Sequence, residues 1–244
     1  MIEHEANRFL DMVPPAANAQ YTIDTKAEEN GWNAAGIQAA CALMPKHPKF
    51  RAWWTKAIEY RMAALATPKD LENARVYDGR AAKDWISGYN LDNLGALGNH
   101  RNYPHPAYMA SPLRHAIEGT LYVALAGLTI PDANRFNCDL IYRNFVDHRW
   151  HGFGPIYQAD GSIYWPIEKE ERKGLNYLNY ALADAGAVFL GYDNLASIKG
   201  GVWEDKHTNK GVEAKLTEFT AASGYLLHWL AHQGVRFVHP QVQR

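Results

Sequence analysis

Cysteine is nearly absent. The 244 residues hold two, Cys41 and Cys138, too few for a disulfide framework or for a zinc site built on paired Cys-x-x-Cys motifs. One disulfide stays open, but helix-like surroundings predict two ordinary buried thiols. An excess of one charge is lacking too. The balance of 25 basic and 26 acidic residues, net −1, gives no basic stripe for nucleic acid. No window approaches the roughly 18 consecutive apolar residues of a membrane-spanning helix, so neither nucleic acid nor a membrane is an expected partner. The first residues carry Glu3 and Glu5 and no apolar segment, so no secretory signal is expected. That leaves an intracellular protein, or a processed or excised form that is secreted or periplasmic. Missing as well are a glycine-rich phosphate loop, a His-Glu-x-x-His zinc motif and a Gly-x-Ser-x-Gly nucleophile elbow.

What is present is apolar and aromatic. Hydrophobic residues make up 47% of the chain, enough to build a core, and we read residues 1–244 as a single domain. Apolar residues recur at three- and four-residue spacings. They predict helices over 2–12, 26–44, 48–66, 113–128, 175–190 and 211–232, a short one near 81–86, and one from Pro131 to about 149. Thr25 and Glu28 have the spacing of a capping box. Long irregular stretches at 69–112 and 150–172 interrupt the helices, and 158–164 suggests a turn between two short strands. No strand–helix alternation appears, which excludes a doubly wound sheet. The expected fold is all-α, and successive helix pairs fit an array of α/α hairpins whose long loops form a cleft.

Aromatic residues are 12% of the sequence, and many have polar neighbours, as in Gly31-Trp32-Asn33, Asp84-Trp85 and Tyr164-Trp165-Pro166. A flat apolar face beside hydrogen-bonding groups matches a sugar ring. The densest polar group lies in 88–109, stiffened by glycines and prolines. It contains Asn90, Asn99, His100, Arg101, Tyr103, His105 and Tyr108. Histidine and tyrosine offer proton-transfer groups of different ordinary pKa, while arginine and asparagine offer charge and hydrogen bonds to an anion. Together they suit removal of a proton α to a carboxylate.

Two further clusters suggest cleft walls: Glu29, Trp32 and Asn33 at the start of the second helix, and His148, His151 and Trp165 in the second irregular stretch. Trp85 is a further stacking candidate. A metal reading also has residues to draw on, in His100, His105, His148 and His151 with Asp92 or Asp147. No motif fixes three ligands, so no metal or other cofactor is assigned, and a structural zinc or calcium ion stays open. Tyr177, Asn179 and Tyr180 read as helix-packing residues, and His228 and His232 as cations favoured by a helix C-terminus.

The order of these elements resembles the α/α-toroid polysaccharide lyases, especially the heparinase II/III-like group and its alginate-lyase relatives. The residues that carry the resemblance are Glu28-Glu29-Asn-x-Trp32-Asn33, Met44-Pro-x-His47-Pro48, Asn99-His100, His105-Pro-x-Tyr108-Met and Asp160-Gly-x-x-Tyr-x-Pro166. They span roughly residues 25–190. The resemblance implies an incomplete toroid of helical hairpins and β-elimination on a uronic-acid polysaccharide. By it, Asn99 neutralises the carboxylate, His100 neutralises or acts as base, and Tyr108, with Tyr103 as second choice, exchanges a proton with the glycosidic oxygen. At 244 residues the chain departs from the longer toroid and the C-terminal β-sandwich usual in that group. Two other readings remain: a glycoside hydrolase pairing Glu28 or Glu29 with Asp92 or Asp160, and a non-catalytic glycan-binding module.

Overall fold

The computed structural model describes residues 1–18, 25–96, 98–99, 103–104, 106–149, 155–156, 186, 189–190 and 214–235, with the backbone alone at 98–99, 103–104, 106–107, 214–221 and 228. The fold is mostly helical. The helices are α1 (Ile2–Arg8), α2 (Ala27–Leu43), α3 (Phe50–Leu65), α4 (Ala82–Trp85), α5 (Pro106–Leu125), α6 (Cys138–Val146) and α7 (Ala214–His232). Two-residue strands form two antiparallel hairpins, β1 (Val76–Tyr77) with β2 (Arg80–Ala81) and β3 (Gly98–Asn99) with β4 (Tyr103–Pro104). Among the described residues no helix is long and apolar enough to cross a membrane.

α2 is the central element because it is built from small residues. Ala27, Ala34 and Ala40 are wholly buried, and the helix packs against both α3 and α5. Alanine also has the highest helix propensity, so local preference and close packing agree. A Cβ placed on Gly31 would lie 3.2 Å from the Cα of Pro112, which marks where α2 and α5 cross. α3 has apolar residues on two faces and separates two cores. Trp53 and Tyr60 join Phe9 and Ile37 on one side. Ile58, Met62 and Leu65 join Met109, Leu113, Ile117, Phe136 and Ile141 on the other.

Several expected boundaries shift for physical reasons. Lys26, not Thr25, is the N-cap of α2 and makes no side-chain cap; the Thr25 hydroxyl is buried with no hydrogen-bond partner among the described residues. Pro112 does not precede α5 but lies inside it, seated against Gly31. After Pro131 comes a 3-10 turn, Asp132–Arg135, and a left-handed Asn137 (φ 53°) before α6 begins. Asp78 (φ 48°) and Gly79 (φ 85°) close the first hairpin, the two positive φ angles of a type I′ turn. The Asp78 carboxylate then accepts from the amides of Asp132 and Ala133 at 3.0 and 2.8 Å, fastening the hairpin to the 3-10 turn. Both cysteines are free and buried.

Candidate functional site

The segment richest in candidate residues is a hairpin that feeds a helix. Asn99 stands directly across from Tyr103 in the β3–β4 register. The strand pair ends at Pro104, and α5 begins at Pro106, where a proline is pre-organised for a first helical turn. Tyr108 therefore falls in that turn, partly buried against the larger core. Asn99, Tyr103 and Tyr108 are brought onto one continuous unit of backbone. His100 and Arg101, in the connection between the strands, lie outside the described residues, as do His105, His151, Trp165 and Asp160.

The remaining candidates separate by how their polar atoms are used. Asn90 is fully buried. Its oxygen accepts from the amides of Ala17 and Lys26, both at 3.0 Å, and its amide nitrogen donates to the carbonyls of Pro15 and Ala63, again at 3.0 Å. With two acceptor and two donor positions occupied, nothing is left for a substrate. Asn90 is a clamp joining the N-terminal segment to α3, which corrects its assignment to sugar binding. Trp85 is likewise a core residue. Its indole N–H donates to the Tyr77 carbonyl at 2.8 Å, and the Arg80 guanidinium lies 4.5 Å from its ring centroid. The cleft it lines with Val13, Lys56 and Glu59 is about 220 Å³, below the range usual for ligand pockets. His47, part of the family-like motif, stacks on Trp53 at 4.1 Å and accepts from the Lys49 amide at 3.1 Å, so it shapes the turn between α2 and α3.

Glu29 pairs with Lys26 at 2.9 Å, and Asn33, one turn on, is half-buried. Trp32 is 48% exposed and meets the His115 ring edge-on at 6.1 Å. That contact opens onto a group that the sequence reading did not single out. Ser111 donates to Glu28 at 2.8 Å. The His115 Nδ1 lies 2.8 Å from one oxygen of Glu118, and Arg114 Nε donates to the other at 2.7 Å. Ser111, Arg114, His115 and Glu118 recur at helical spacing on α5 and meet Glu28 and Trp32 of α2. The sequence did carry this signal, as a polar stripe of period 3.6 within an otherwise apolar helix.

The two carboxylates of this seam are driven apart. Burial pushes Glu28 above the ordinary carboxylate range, only partly opposed by the Ser111 hydrogen bond and the charges of His115 and Arg114. Burial acts on Glu118 in the same sense, but the hydrogen bond and charge of His115, with Arg114, outweigh it and hold that carboxyl below the ordinary range. Burial, reinforced by the Glu118 charge, raises Tyr122, one turn further along α5.

The acids expected for other roles are occupied. Asp92, buried, accepts from the amides of Leu94 and Ala96 at 2.8 Å each and braces the loop ahead of β3. Burial pushes the Asp92 carboxyl above the ordinary range, opposed in part by the Ala96 and Leu94 amides and then by the charge of His148. Asp147 pairs with Arg143 at 2.8 Å. Among the described residues no group of three histidine, cysteine or acidic side chains could hold a metal ion. In comparisons with known proteins, no family model, no curated protein and no solved structure matches this chain.

Proposed function

We propose that the chain is a polysaccharide lyase that cleaves an acidic, uronic-acid-containing glycan by β-elimination, on an incomplete toroid of helical hairpins. The observation that carries this reading is the hairpin register. Asn99 and Tyr103 are cross-strand partners, and their strand pair leads within two residues into the helix that bears Tyr108. An amide and two phenols on one short, stiffened unit are the groups the reaction needs. The Asn99 amide, with His100 beside it, neutralises the uronate carboxylate and acidifies the α-carbon. A base, His100 or a tyrosinate, takes that proton. The C–H electron pair becomes the new C=C bond as the glycosidic C–O bond breaks, and Tyr108 or Tyr103 protonates the departing oxygen. No cofactor enters.

The test is product formation from a panel of acidic polysaccharides, followed by near-ultraviolet absorption of the unsaturated uronate. We expect Asn99→Ala and Tyr108→Phe each to lower kcat by about 10²- to 10⁴-fold, with the fold unchanged by circular dichroism. No unsaturated product from any acidic glycan would sink the lyase reading.

A second reading, glycosidic hydrolysis, is favoured by one observation. Glu28, which holds its proton more readily, and Glu118, which loses it more readily, have opposed protonation tendencies in one seam. That division is the one a general acid and its partner carboxylate require. Ordinary reducing ends with no unsaturation, abolished by Glu28→Gln and Glu118→Gln, would select it.

A further inference from the structure

The hairpin chemistry does not use the α2–α5 seam, yet the seam has the composition of a ligand site. Trp32 is half exposed and makes a T-shaped contact with the His115 ring, the planes at 79°. An indole left open in this way beside polar groups offers a flat face for stacking. His115 retains 13% of its side-chain exposure. With Nδ1–H directed at the Glu118 carboxylate, the ring is fixed in orientation, and Nε2 is the nitrogen left to hydrogen-bond a ligand. No side chain among the described residues is hydrogen-bonded to that nitrogen. Glu118 is committed twice, to His115 and to Arg114, so in a binding subsite its part is to orient His115. Glu28 is steadied by Ser111 from the opposite helix. The backbone below is rigid as well, because the His115 carbonyl accepts from Arg61 of α3 at 2.8 Å and α2 and α5 meet at Gly31 and Pro112.

An apolar platform, a hydrogen-bonding imidazole, a guanidinium and a carboxyl inclined to keep its proton match the parts of an acidic pyranose. Its CH face stacks on an aromatic ring, its hydroxyls hydrogen-bond to a ring nitrogen, and its carboxylate is drawn to a cation. We infer that the α2–α5 seam is a binding subsite for one uronate unit of a glycan, with Trp32 as the stacking platform, His115 as the hydrogen-bonding wall and Glu118 as the residue that positions His115. The inference rests on the acidic-glycan reading above for its ligand class, and it assigns a place on the molecule that the hairpin residues do not supply.

The experiment is titration calorimetry of the full chain with tetrasaccharides of mannuronate, guluronate, galacturonate and hyaluronan, with unsaturated product recorded in parallel. We expect at least one tetrasaccharide to bind, and Trp32→Ala, a change at a half-exposed position, to weaken that binding at least tenfold while leaving the melting temperature nearly unchanged. His115→Gln, which keeps an acceptor, should retain more affinity than His115→Ala. Glu118→Gln should weaken binding by less than Trp32→Ala, as expected of a residue that positions the imidazole rather than stacking on the sugar. If none of the tetrasaccharides binds, or if Trp32→Ala binds within twofold of the parent, the subsite is refuted. Trp32-dependent binding with no unsaturated product from any glycan keeps the subsite and removes the lyase. Unsaturated product with an unaltered KM in Trp32→Ala keeps the lyase and removes the subsite.

Discussion

Two polar regions of this protein use similar side chains to opposite ends. Around Asn90 and Asp70 the hydrogen bonding turns inward. Asn90 ties together four backbone groups of the N-terminal segment, the start of α2 and α3. Asp70 accepts from Thr67, Asn73 and Asn137, and Asn137 reaches back to the Leu65 carbonyl at 2.8 Å. In the α2–α5 seam Ser111 and Glu118 are buried, but Glu28, Trp32, Arg114 and His115 keep part of their surface. Burial of a fully partnered group specifies a fold, since breaking any one bond strands another buried polar atom. A group held on one side and open on the other is pre-organised toward something outside the chain. Fractional satisfaction, rather than residue type, separates scaffold from site.

The sharpest way to break this contrast is Asn90→Ala. It strands two part-buried amides and two carbonyls, and at about 1 kcal/mol for each, the low end for an unsatisfied group, it should cost about 4 kcal/mol in urea unfolding. Ser111→Ala, in the seam, should cost no more than about 1 kcal/mol. Equal losses would erase the distinction.

A smaller effect compares two glycines of α2. A Cβ at Gly36 would meet nothing within 4 Å, whereas at Gly31 it would lie 3.2 Å from backbone and 3.5 Å from the His115 Cβ. Gly36→Ala should stabilise by up to about 1 kcal/mol through helix propensity. Gly31→Ala should instead destabilise by about 1 kcal/mol as overpacking outweighs that gain, and thermal unfolding reads both signs. Glycan affinity should fall only in Gly31→Ala.

Acid–base linkage supplies a finer comparison. The raised carboxyl of Glu28 favours folding below its unfolded pKa, and that contribution is lost as pH rises through its folded pKa. Glu28→Gln should therefore gain stability relative to the parent at neutral pH, the gain vanishing in acid. The depressed carboxyl of Glu118 contributes above its unfolded pKa and loses that contribution as pH falls through the folded value. Glu118→Gln should therefore be the less stable protein at neutral pH and approach the parent in acid. Unfolding series across the carboxylate range measure both slopes. The smallest expected effect is chemical silence. Burial pushes the thiols of Cys41 and Cys138 up to about 12, so neither should react with a thiol reagent at neutral pH until the chain unfolds.

The sequence anticipates α2 and α3 to within two residues, because alanine propensity, apolar spacing and the flanking prolines agree there. It misplaces the start of α5. Pro112 reads as a helix stop, yet it lies inside α5, packed against Gly31 more than 80 positions away. Thr25 has cap spacing but lies in a buried environment that removes it from the role. The Asp78-Gly79 hairpin is legible from turn chemistry alone, although it lies within what reads as a long irregular stretch. At the candidate site, residue type leads to Asn99, Tyr103 and Tyr108, which lie on the second hairpin and the first turn of α5. It could not distinguish Asn90, whose bonds are all made within the chain, from a residue facing a substrate. Ser111, Arg114, His115 and Glu118 went unremarked because they are scattered along what reads as a packing helix, and only their shared face makes them a group.

Pro112 carries one more consequence. Lacking an amide hydrogen, it cannot donate to the carbonyl of Tyr108, the residue four positions earlier, so the intrahelical ladder of α5 has a missing rung between the proposed acid and the part of α5 that bears His115 and Glu118. Two lengths of helix joined this way can exchange their hydrogens on separate clocks. Deuterium uptake should be faster at the amides of Ala110 and Ser111 than at those of Ile117 to Leu121, and a bound glycan touching both lengths would bring the two clocks into step.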